Sequence, residues 1–268
     1  MDDPTPAPDY GDSFADVYDT WYDTITDAEA TADRVAELAS AAGCERVLEL
    51  GIGSGRLAVP ISARGMAVVG IDNSQAMLDV LAAKDGAEGI ETHLGDMAAA
   101  DQITEGPFGV VLVAFNTLFN LVSEDDQRSC LTACARLLHP DGSLLVETAV
   151  WGPPPDRTER GLSTTRVELD RVVLSATEHD PRTQVVTGQH IDITAAGTRL
   201  RPWRIRYLTP DQLDAMAADA SLALVERHAD WSGSTATTDA AQHVSHYRLD
   251  SSELPAPDRS PPVVSDRP

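Results

Sequence analysis

The sequence predicts an α/β fold with a doubly wound, seven-stranded, mainly parallel sheet and an antiparallel β insertion after the fifth strand. Short apolar runs alternate with segments of helical periodicity between residues 45 and 149, which is the pattern of a parallel sheet. The run 110–115 is apolar throughout, as expected for a strand covered on both faces. A charged, strand-like stretch over 164–208 then interrupts the alternation and predicts the insertion.

The elements of the predicted sheet follow in chain order. Strands are predicted over 45–50, 67–71, 90–94, 110–115, 143–149, 222–229 and 242–249. Helices are predicted over 28–42, 55–64, 75–84, 124–138 and 210–220, and aromatic residues recur at helical spacing over 10–26. Ser74 provides an N-cap for the helix that follows it, and Thr209-Pro210 begins another in the same way.

The chain is expected to form one domain over 10–250, with the inserted antiparallel sheet of 164–208 over the active site. Within that insertion the strand-like runs are 165–178, 183–194 and 199–208. Residues 1–9 are rich in proline and aspartate and predict a flexible N-terminus. Residues 251–268 hold five prolines and little apolar content, which predicts a disordered tail.

The charge of the chain excludes some classes of partner. The 43 acids and 20 bases give a net charge of −23, which repels phosphate backbones and argues against a nucleic acid substrate. Such a field would mildly attract amines and other cations, and the alternative is that the acids simply solvate the surface. No stretch reaches the roughly 20 apolar residues that span a bilayer, so no membrane association is expected. Three cysteines without a C-x-x-C motif favour free thiols and a cytoplasmic location.

One motif indicates a nucleoside pocket. The predicted first strand ends in Gly51, Gly53 and Gly55, and the second predicted strand ends in Asp72. Glycines let the backbone approach a ligand, and a carboxylate at this position can accept both ribose hydroxyls. A dinucleotide fold would carry a third glycine in G-x-G-x-x-G, where this chain has Arg56.

Several segments in order resemble the class I S-adenosylmethionine (SAM) methyltransferases, in particular the small-molecule, sugar-amine and glycine N-methyltransferase type. The matching segments are 18–22, Leu48–Gly55, Gly70–Leu78, Gly95–Met97, Phe115–Leu118 and Leu138–Leu144. Asp141-Gly142 departs from the two glycines of many relatives, which changes a turn and not a site. The resemblance covers residues 10 to 250 and implies a Rossmann-like fold, SAM as cofactor and no metal.

The resemblance also implies roles for individual residues. The backbone of Gly51, Gly53 and Gly55 would lie against the methionine part of SAM, and Glu49 would meet its ammonium. Asp72 would take the ribose hydroxyls. The residues expected to border the adenine or close over the cofactor are Tyr18, Tyr22, Asn73, Met77, Asp96, Met97, Phe115 and Asn116. A simple Gly-Asp turn at Asp96 and ordinary packing of Tyr18 and Tyr22 remain the alternatives.

The catalytic and acceptor-binding candidates come from elements around the predicted pocket. His243, on the last strand, is a candidate general base, with a structural histidine as the alternative, and Tyr22 is the second catalytic candidate. The candidates for binding the acceptor are Glu147, Trp151, Trp203 and Tyr207. A core-edge acid and simple packing of the inserted sheet are the alternatives for these side chains.

The expected function is transfer of a methyl group from SAM to a nitrogen or oxygen atom of a small molecule. The expected assembly is a monomer or a homodimer, because the inserted sheet could pair across a two-fold axis. Two other functions stay open at this point: a non-catalytic SAM-binding protein on the same fold, and a nicotinamide-dependent oxidoreductase.

Overall fold

The apolar runs of the sequence form a seven-stranded sheet, and the charged insertion forms a separate four-stranded sheet. A computed structural model describes residues 10–22, 27–151, 155–237 and 240–250. The strands are β1 (Arg46–Leu50), β2 (Ala67–Asp72), β3 (Glu91–Leu94), β4 (Phe108–Val113), β5 (Leu138–Ala149), β6 (Glu159–Val167), β7 (Arg171–Asp180), β8 (Val185–Thr194), β9 (Gly197–Arg206), β10 (Leu222–His228) and β11 (Gln242–Leu249). The predicted tails 1–9 and 251–268 lie outside the described residues.

The helices pack on both faces of the larger sheet. They are α1 (Tyr10–Phe14), α2 (Tyr18–Tyr22), α3 (Ala28–Ala41), α4 (Ala58–Ser62), α5 (Gln75–Ala82), α6 (Ala100–Ile103), α7 (Glu124–Leu137) and α8 (Pro210–Asp219). Ser74 caps α5 by accepting a hydrogen bond from the backbone of Met77 at 3.2 Å. Thr209 and Gln212 form a capping box at the start of α8.

The larger sheet has the strand order β10-β11-β5-β4-β1-β2-β3. The strands from β3 to β5 are parallel, whereas β11 runs antiparallel to β5 and β10 antiparallel to β11. Successive residues of a strand enter different cores: Leu48 and Val111 pack on one face of the sheet, and Val47 and Leu112 pack on the other. The predicted doubly wound, mainly parallel fold is confirmed.

The insertion after β5 is an antiparallel sheet of strand order β6-β7-β8-β9. The predicted first run over 165–178 is wrong in detail, because a turn after Val167 divides it and β6 begins earlier, at Glu159. Almost every residue of β6 is exposed, so this strand has no apolar alternation from which it could be recognised.

The aromatic stripe over 10–26 forms two short helices in its described part. The backbone N–H of Val17 donates to the carbonyl of Phe14, and the carbonyl of Ser13 accepts a hydrogen bond from Arg201 instead. A side chain of the inserted sheet therefore takes the acceptor that a continuous helix would use. This contact fixes the N-terminal helices against β9.

Candidate functional site

A cavity of about 330 Å³ opens at the carboxyl ends of β1, β2 and β4. Open α/β sheets bind ligands at this edge, where the strand order reverses. Its wall combines the glycine turn, the N-terminal helices and the inner face of the inserted sheet. The predicted site residues that line the cavity are Tyr18, Tyr22, Gly51, Gly53, Asp72, Asn73, Met77, Asp96, Met97, Phe115, Asn116, Trp151 and Trp203.

The glycine turn brings the backbone to the cavity. Gly51 has φ +66°, and a Cβ there would stand 2.4 Å from the side chain of Thr117. Gly53 has φ +55°, and the nearest atoms to a Cβ there are 3.9 Å away or more, so its open side faces the ligand space. Gly55 does not line the cavity, because its Cα lies against Leu81 of α5.

Asp72 stands at the centre of the site. Its Oδ2 accepts a hydrogen bond from the backbone of Gly53 at 2.8 Å, and its Oδ1 accepts one from the backbone of Ser74 at 2.9 Å. Burial raises the pKa of this carboxyl, while the backbone hydrogen bonds lower it. The carboxylate is therefore turned toward the glycine turn, as a ribose-binding acid requires.

Glu49 and Arg56 form a charged niche next to the glycine turn, and neither of them is among the residues that line the cavity. Burial raises the pKa of Glu49 to about 8, and the nearby Arg56 opposes that rise. Oε2 of Glu49 and both Nε and Nη1 of Arg56 are buried with no hydrogen-bond partner in the described part of the chain. Buried polar groups are normally paired, so these atoms mark a place where a ligand with opposite charges would be complementary.

Strand β4 ends in two residues with left-handed backbone. Phe115 has φ +49° and Asn116 has φ +63°, which costs on the order of 1–3 kcal/mol for each non-glycine residue. The fold holds them by hydrogen bonds: Glu147 accepts from the backbone of Phe115 at 2.9 Å, and Asn116 accepts from the backbone of Ala149 at 2.6 Å. Strain of this kind is typical of binding sites.

Glu147 was expected to meet the acceptor, and the structure contradicts that expectation. The residue is buried below Phe115, and its carboxylate receives the Phe115 N–H instead of facing the cavity. Burial raises its pKa. Its position supports the alternative of a core-edge acid: the Phe115 backbone and the Trp231 side chain hydrogen-bond to it, and the nearby Arg56 lowers its pKa.

The adenine side of the cavity is built on β2 and β3. Asp96 follows β3 and accepts a hydrogen bond from the backbone of Ala98 at 2.9 Å, so the turn that the alternative interpretation proposed is present. The residue also lines the cavity, together with Asn73, Met77 and Met97. Both interpretations of Asp96 are therefore compatible with its position.

Tyrosine rings from α1 and α2 cover the cavity. Tyr18 and Tyr22 lie with their ring centroids 4.9 Å apart, and Tyr22 lies 5.6 Å from Phe115. Burial raises the pKa of Tyr10, Tyr18 and Tyr22, so these phenols stay neutral at neutral pH. Tyr10 and Tyr22 also share a hydrogen bond.

The inserted sheet supplies the opposite wall. The Trp203 ring lies across Gly188, where a Cβ would be 2.1 Å from it. Tyr207 does not reach the cavity: it is buried behind Trp151, with ring centroids 4.8 Å apart, and its hydroxyl bonds His179 at 3.0 Å. Of the two alternatives for Tyr207, packing is the one that its position supports.

His243 was a candidate general base, and its surroundings contradict that role. The side chain is buried away from the cavity, with Nε2 3.0 Å from Oγ1 of Thr148 and Nδ1 2.8 Å from Oγ of Ser245. Burial lowers its pKa to about 4. Because both ring nitrogens are occupied, His243 is a structural histidine, which was the stated alternative.

Some cavity residues were missed by the sequence analysis. They include Tyr10, Asn120, His190 and Ile205. These residues come from the N-terminal helix, the turn after β4 and the inserted sheet, where no motif marks them. The unpaired donors of Arg56 were also missed, although its place in the glycine motif was a signal that could have been followed.

Comparison with known proteins agrees with this geometry. Residues 47–142 match the sequence family described as a methyltransferase domain. The chain is 39% identical to the CcbJ methyltransferase of Streptomyces caelestis, with a TM-score of 0.82 over 90% of this chain and 97% of that one. The fold is also similar to SAM-bound CalS10, an amino pentose methyltransferase of Micromonospora echinaspora, at a TM-score of 0.61 and 23% identity, covering 84% of this chain and 91% of that one.

Curated relatives match over shorter regions. A ubiquinone biosynthesis O-methyltransferase of a Caulobacter species is 28% identical over 48% of this chain and 48% of its own length. The matched part spans less than half the length of such relatives. None of the helices in the described part of the chain has the length and apolar character that crossing a bilayer requires. The identity over nearly the whole of the CcbJ methyltransferase, together with the matched domain, shows that the chain belongs to the SAM-dependent methyltransferase family.

Proposed function

We propose that this protein transfers a methyl group from SAM to a nitrogen or oxygen atom of a small molecule, and that an amine is the favoured acceptor. The observation that carries the proposal is the position of Asp72, which lies at the glycine turn with both carboxylate oxygens on backbone amides. When bound, SAM supplies an electrophilic methyl group on a sulfonium sulfur. The preference for an amine rests on the character of the cavity wall.

The residues of the cavity and of the neighbouring Glu49–Arg56 niche fit the two ends of SAM. Asp72 would accept hydrogen bonds from the ribose, and Asp96 and Met97 would border the adenine. At the other end, the unpaired oxygen of Glu49 is complementary to the ammonium, and the unpaired donors of Arg56 are complementary to the carboxylate. The amino-acid part of SAM carries both charges, so its ammonium and carboxylate could pair with the unpartnered atoms of Glu49 and Arg56.

The chain's own contribution to the reaction is positioning and exclusion of water. Holding two reactants in line is worth roughly 7–11 kcal/mol. The strained Phe115 and the covering Tyr22 restrict the space in which an acceptor can approach. The rest of the wall is aromatic, with Trp151 and Trp203 on the side of the inserted sheet.

The character of this wall favours an amine. A neutral amine attacks through its lone pair and needs no base, whereas a hydroxyl must lose its proton. Both carboxylates that line the described cavity, Asp72 and Asp96, already accept backbone hydrogen bonds. Aromatic faces would also stabilise the positive charge that a methylated amine carries.

Two measurements test the proposal. Calorimetric titration with SAM, S-adenosylhomocysteine and NAD is expected to give binding of the first two only. A panel of small amines, phenols and sugars is then screened for release of S-adenosylhomocysteine, and the rate with an amine should rise with pH up to the pKa of that amine. Binding of NAD without SAM would refute the cofactor, and no release across the panel would favour a non-catalytic SAM-binding protein.

A further inference from the structure

The loop between β10 and β11 carries a buried tryptophan. Trp231 is only 7% exposed and packs in the core on the face of the larger sheet that also holds Val47 and Leu112. Trp231 is not among the described residues that line the cavity, where Trp151 and Trp203 are found instead. Its side chain therefore either fills space in the core or supports the cavity wall from behind.

Hydrogen bonds within the loop hold it in one conformation. Oδ1 of Asp230 accepts from the backbone N–H of Ser232 at 2.9 Å, from the hydroxyl of Ser232 at 2.6 Å and from the backbone N–H of Ser234 at 3.2 Å. The backbone N–H of Ala229 donates to the carbonyl of Ser234 at 2.8 Å. The bonds to the two serines lower the pKa of Asp230 to about 2, so the carboxylate that organises the loop is ionised at neutral pH. The loop thus directs Trp231 inward.

The indole of Trp231 contacts Glu147 of β5. Its N–H donates a hydrogen bond to the carboxylate of Glu147. Nε1 of Trp231 and Oε1 of Glu147 are both buried, and neither has another partner in the described residues. Because buried polar groups are normally paired, each of these atoms depends on the other. Oε2 of Glu147 accepts the backbone N–H of Phe115 at 2.9 Å, so one carboxylate joins the loop to the end of β4.

Glu147 fixes both left-handed residues that follow β4. Its carboxylate accepts the backbone N–H of Phe115, and its backbone carbonyl accepts the N–H of Asn116 at 2.9 Å. Left-handed backbone persists at residues other than glycine only where the surrounding structure holds it. The bond from Trp231 restrains rotation of the carboxylate and therefore strengthens its hold on Phe115.

Phe115 connects this support to the site that SAM would occupy. Its ring lines the cavity and lies 5.6 Å from the ring of Tyr22. The guanidinium carbon of Arg56 lies 5.4 Å from the centre of the same ring. Arg56 carries the unpaired donors that are complementary to the carboxylate of SAM. A displacement of Phe115 would therefore disturb the cavity wall and the position of Arg56 together.

We propose that Trp231 is a positioning residue of the SAM site: by way of Glu147 it fixes Phe115, and through the Phe115 ring it fixes Arg56. Trp231 lies outside the cavity, so it acts through these residues and not by contact with the ligand. The effect on SAM binding rests on the proposed function. The link from Trp231 to Phe115 does not, because it is made within the protein.

Hydrogen exchange of individual amides, followed by NMR, tests the link. Trp231→Phe removes the indole N–H and keeps an aromatic ring. Exchange at Phe115 should become at least about tenfold faster than in wild type, while Leu112 in the middle of β4 exchanges as before. Trp21→Phe also removes a buried indole N–H that lacks a partner in the described residues, and it should leave exchange at Phe115 unchanged. Unchanged exchange at Phe115 in Trp231→Phe overturns the proposal, as does equal acceleration at Leu112.

The indole signal of wild type gives a second test, which packing alone would not affect. With tryptophan labelled by ¹⁵N, the signal that Trp231→Phe loses belongs to Trp231. This signal should shift as Glu147 titrates between about pH 5 and about pH 8, because burial raises the pKa of that carboxyl above its ordinary value. The shift should be absent in Glu147→Gln. A signal that does not change with pH in wild type would contradict the bond on which the proposal depends.

SAM affinity measured by calorimetry connects the link to the site. Trp231→Phe and Glu147→Gln should each weaken SAM binding by about threefold or more, and the double variant should bind no more weakly than Glu147→Gln alone, because both substitutions break the same connection. Losses that multiply in the double variant would show independent effects and overturn the proposal. Failure of wild type to bind SAM would refute the proposed function instead, and the exchange and indole measurements would still decide whether Trp231 positions Phe115.

Discussion

Asp72 is the residue on which the nucleoside assignment most directly depends. Asp72→Ala should weaken SAM binding by tenfold or more, in line with the roughly 1.5–3 kcal/mol of a hydrogen bond to a charged group. Asp79→Ala, which removes an exposed carboxylate of α5, is the matched control and should leave the affinity unchanged. Calorimetric titration gives both dissociation constants, and an unchanged value for Asp72→Ala would contradict the ribose role.

A substitution of Arg56 can distinguish a role in binding SAM from a role in supporting the fold. If its unpaired donors hold the carboxylate of SAM, Arg56→Gln should weaken SAM binding by at least tenfold, or about 1.4 kcal/mol. The same variant should bind decarboxylated SAM as wild type does. Arg64→Gln, which removes a surface arginine paired with Asp33, should change neither affinity. Equal losses for both ligands would show that Arg56 only supports the fold.

The raised pKa of Glu49 predicts that SAM binding is accompanied by release of a proton. Its pKa of about 8 means that the folded chain holds a proton at pH 7 that the unfolded chain, near its ordinary value, releases. The free energy of unfolding is therefore unaffected by this group below its ordinary pKa. It falls as the pH rises from that value to about 8, because the folded chain must then hold an ionised carboxylate in a buried site. An ammonium at Oε2 would favour the ionised form, so SAM binding at pH 7 should release roughly one proton.

Calorimetry in two buffers of different ionisation enthalpy measures that proton. The release seen in wild type should disappear in Glu49→Gln, which cannot ionise. The apparent SAM affinity of wild type should also rise between about pH 6 and pH 7.5, because the free energy needed to ionise Glu49 falls as the pH approaches its pKa. Proton release of the same size in the variant would assign the titrating group elsewhere.

At the scale of elements, the N-terminal helices are held to the inserted sheet by one acid and two arginines. Asp16 accepts from Arg201 at 2.6 Å and from Arg199 at 2.7 Å, and hydrogen bonding with Arg201 lowers the pKa of Asp16. The Arg201 side chain is 2% exposed, whereas that of Arg199 is 54% exposed. Because Arg201 is buried, its pair with Asp16 should hold α1 and α2 more firmly than the exposed Arg199 pair does.

Arg201→Gln should therefore loosen α1 and α2, while Arg199→Gln should not. Breaking a fully buried pair costs about 3–5 kcal/mol, and the loss of the Arg201 pair should be smaller because Asp16 is 47% exposed; the exposed Arg199 pair contributes about 0–1 kcal/mol. Hydrogen exchange of the amides over 10–22 should accelerate strongly in the first variant only, with weaker SAM binding because Tyr18 and Tyr22 leave the cavity. Similar exchange in both variants would show that the helices are held by aromatic packing alone.

The same scale explains which parts of the site could be predicted from sequence. Asp72 and the glycines belong to one strand–turn–helix–strand unit, where short-range spacing determines geometry. Tyr10 and His190 line the same cavity from segments far apart in the chain, and no local pattern records that they share it. His243 shows the limit of strand alternation: the period gives the face of β11 but not what covers that face.

At the scale of the whole molecule, hydrophobic patterning predicts the parallel core better than it predicts the inserted sheet. The parallel core could be predicted because its central strands β1, β2 and β4 are buried on both faces and have nearly continuous apolar runs. The insertion was predicted only as a region, since β6 is exposed and its partners depend on long-range pairing. Only the register of the four strands places Leu162, Ile191 and Leu200 together on the face of this sheet opposite His190 and Trp203.

The net charge of −23 leads to a last prediction about the whole molecule. Repulsion among acids destabilises the compact state, so added salt should raise the unfolding temperature at pH 7.5. Thermal unfolding followed by circular dichroism should show a rise of a few degrees between about 0.05 and about 0.5 M NaCl. Near the calculated isoelectric point of about 4.4 the same salt series should give no rise, and a rise of equal size there would show that salt acts through hydrophobic burial and not through charge.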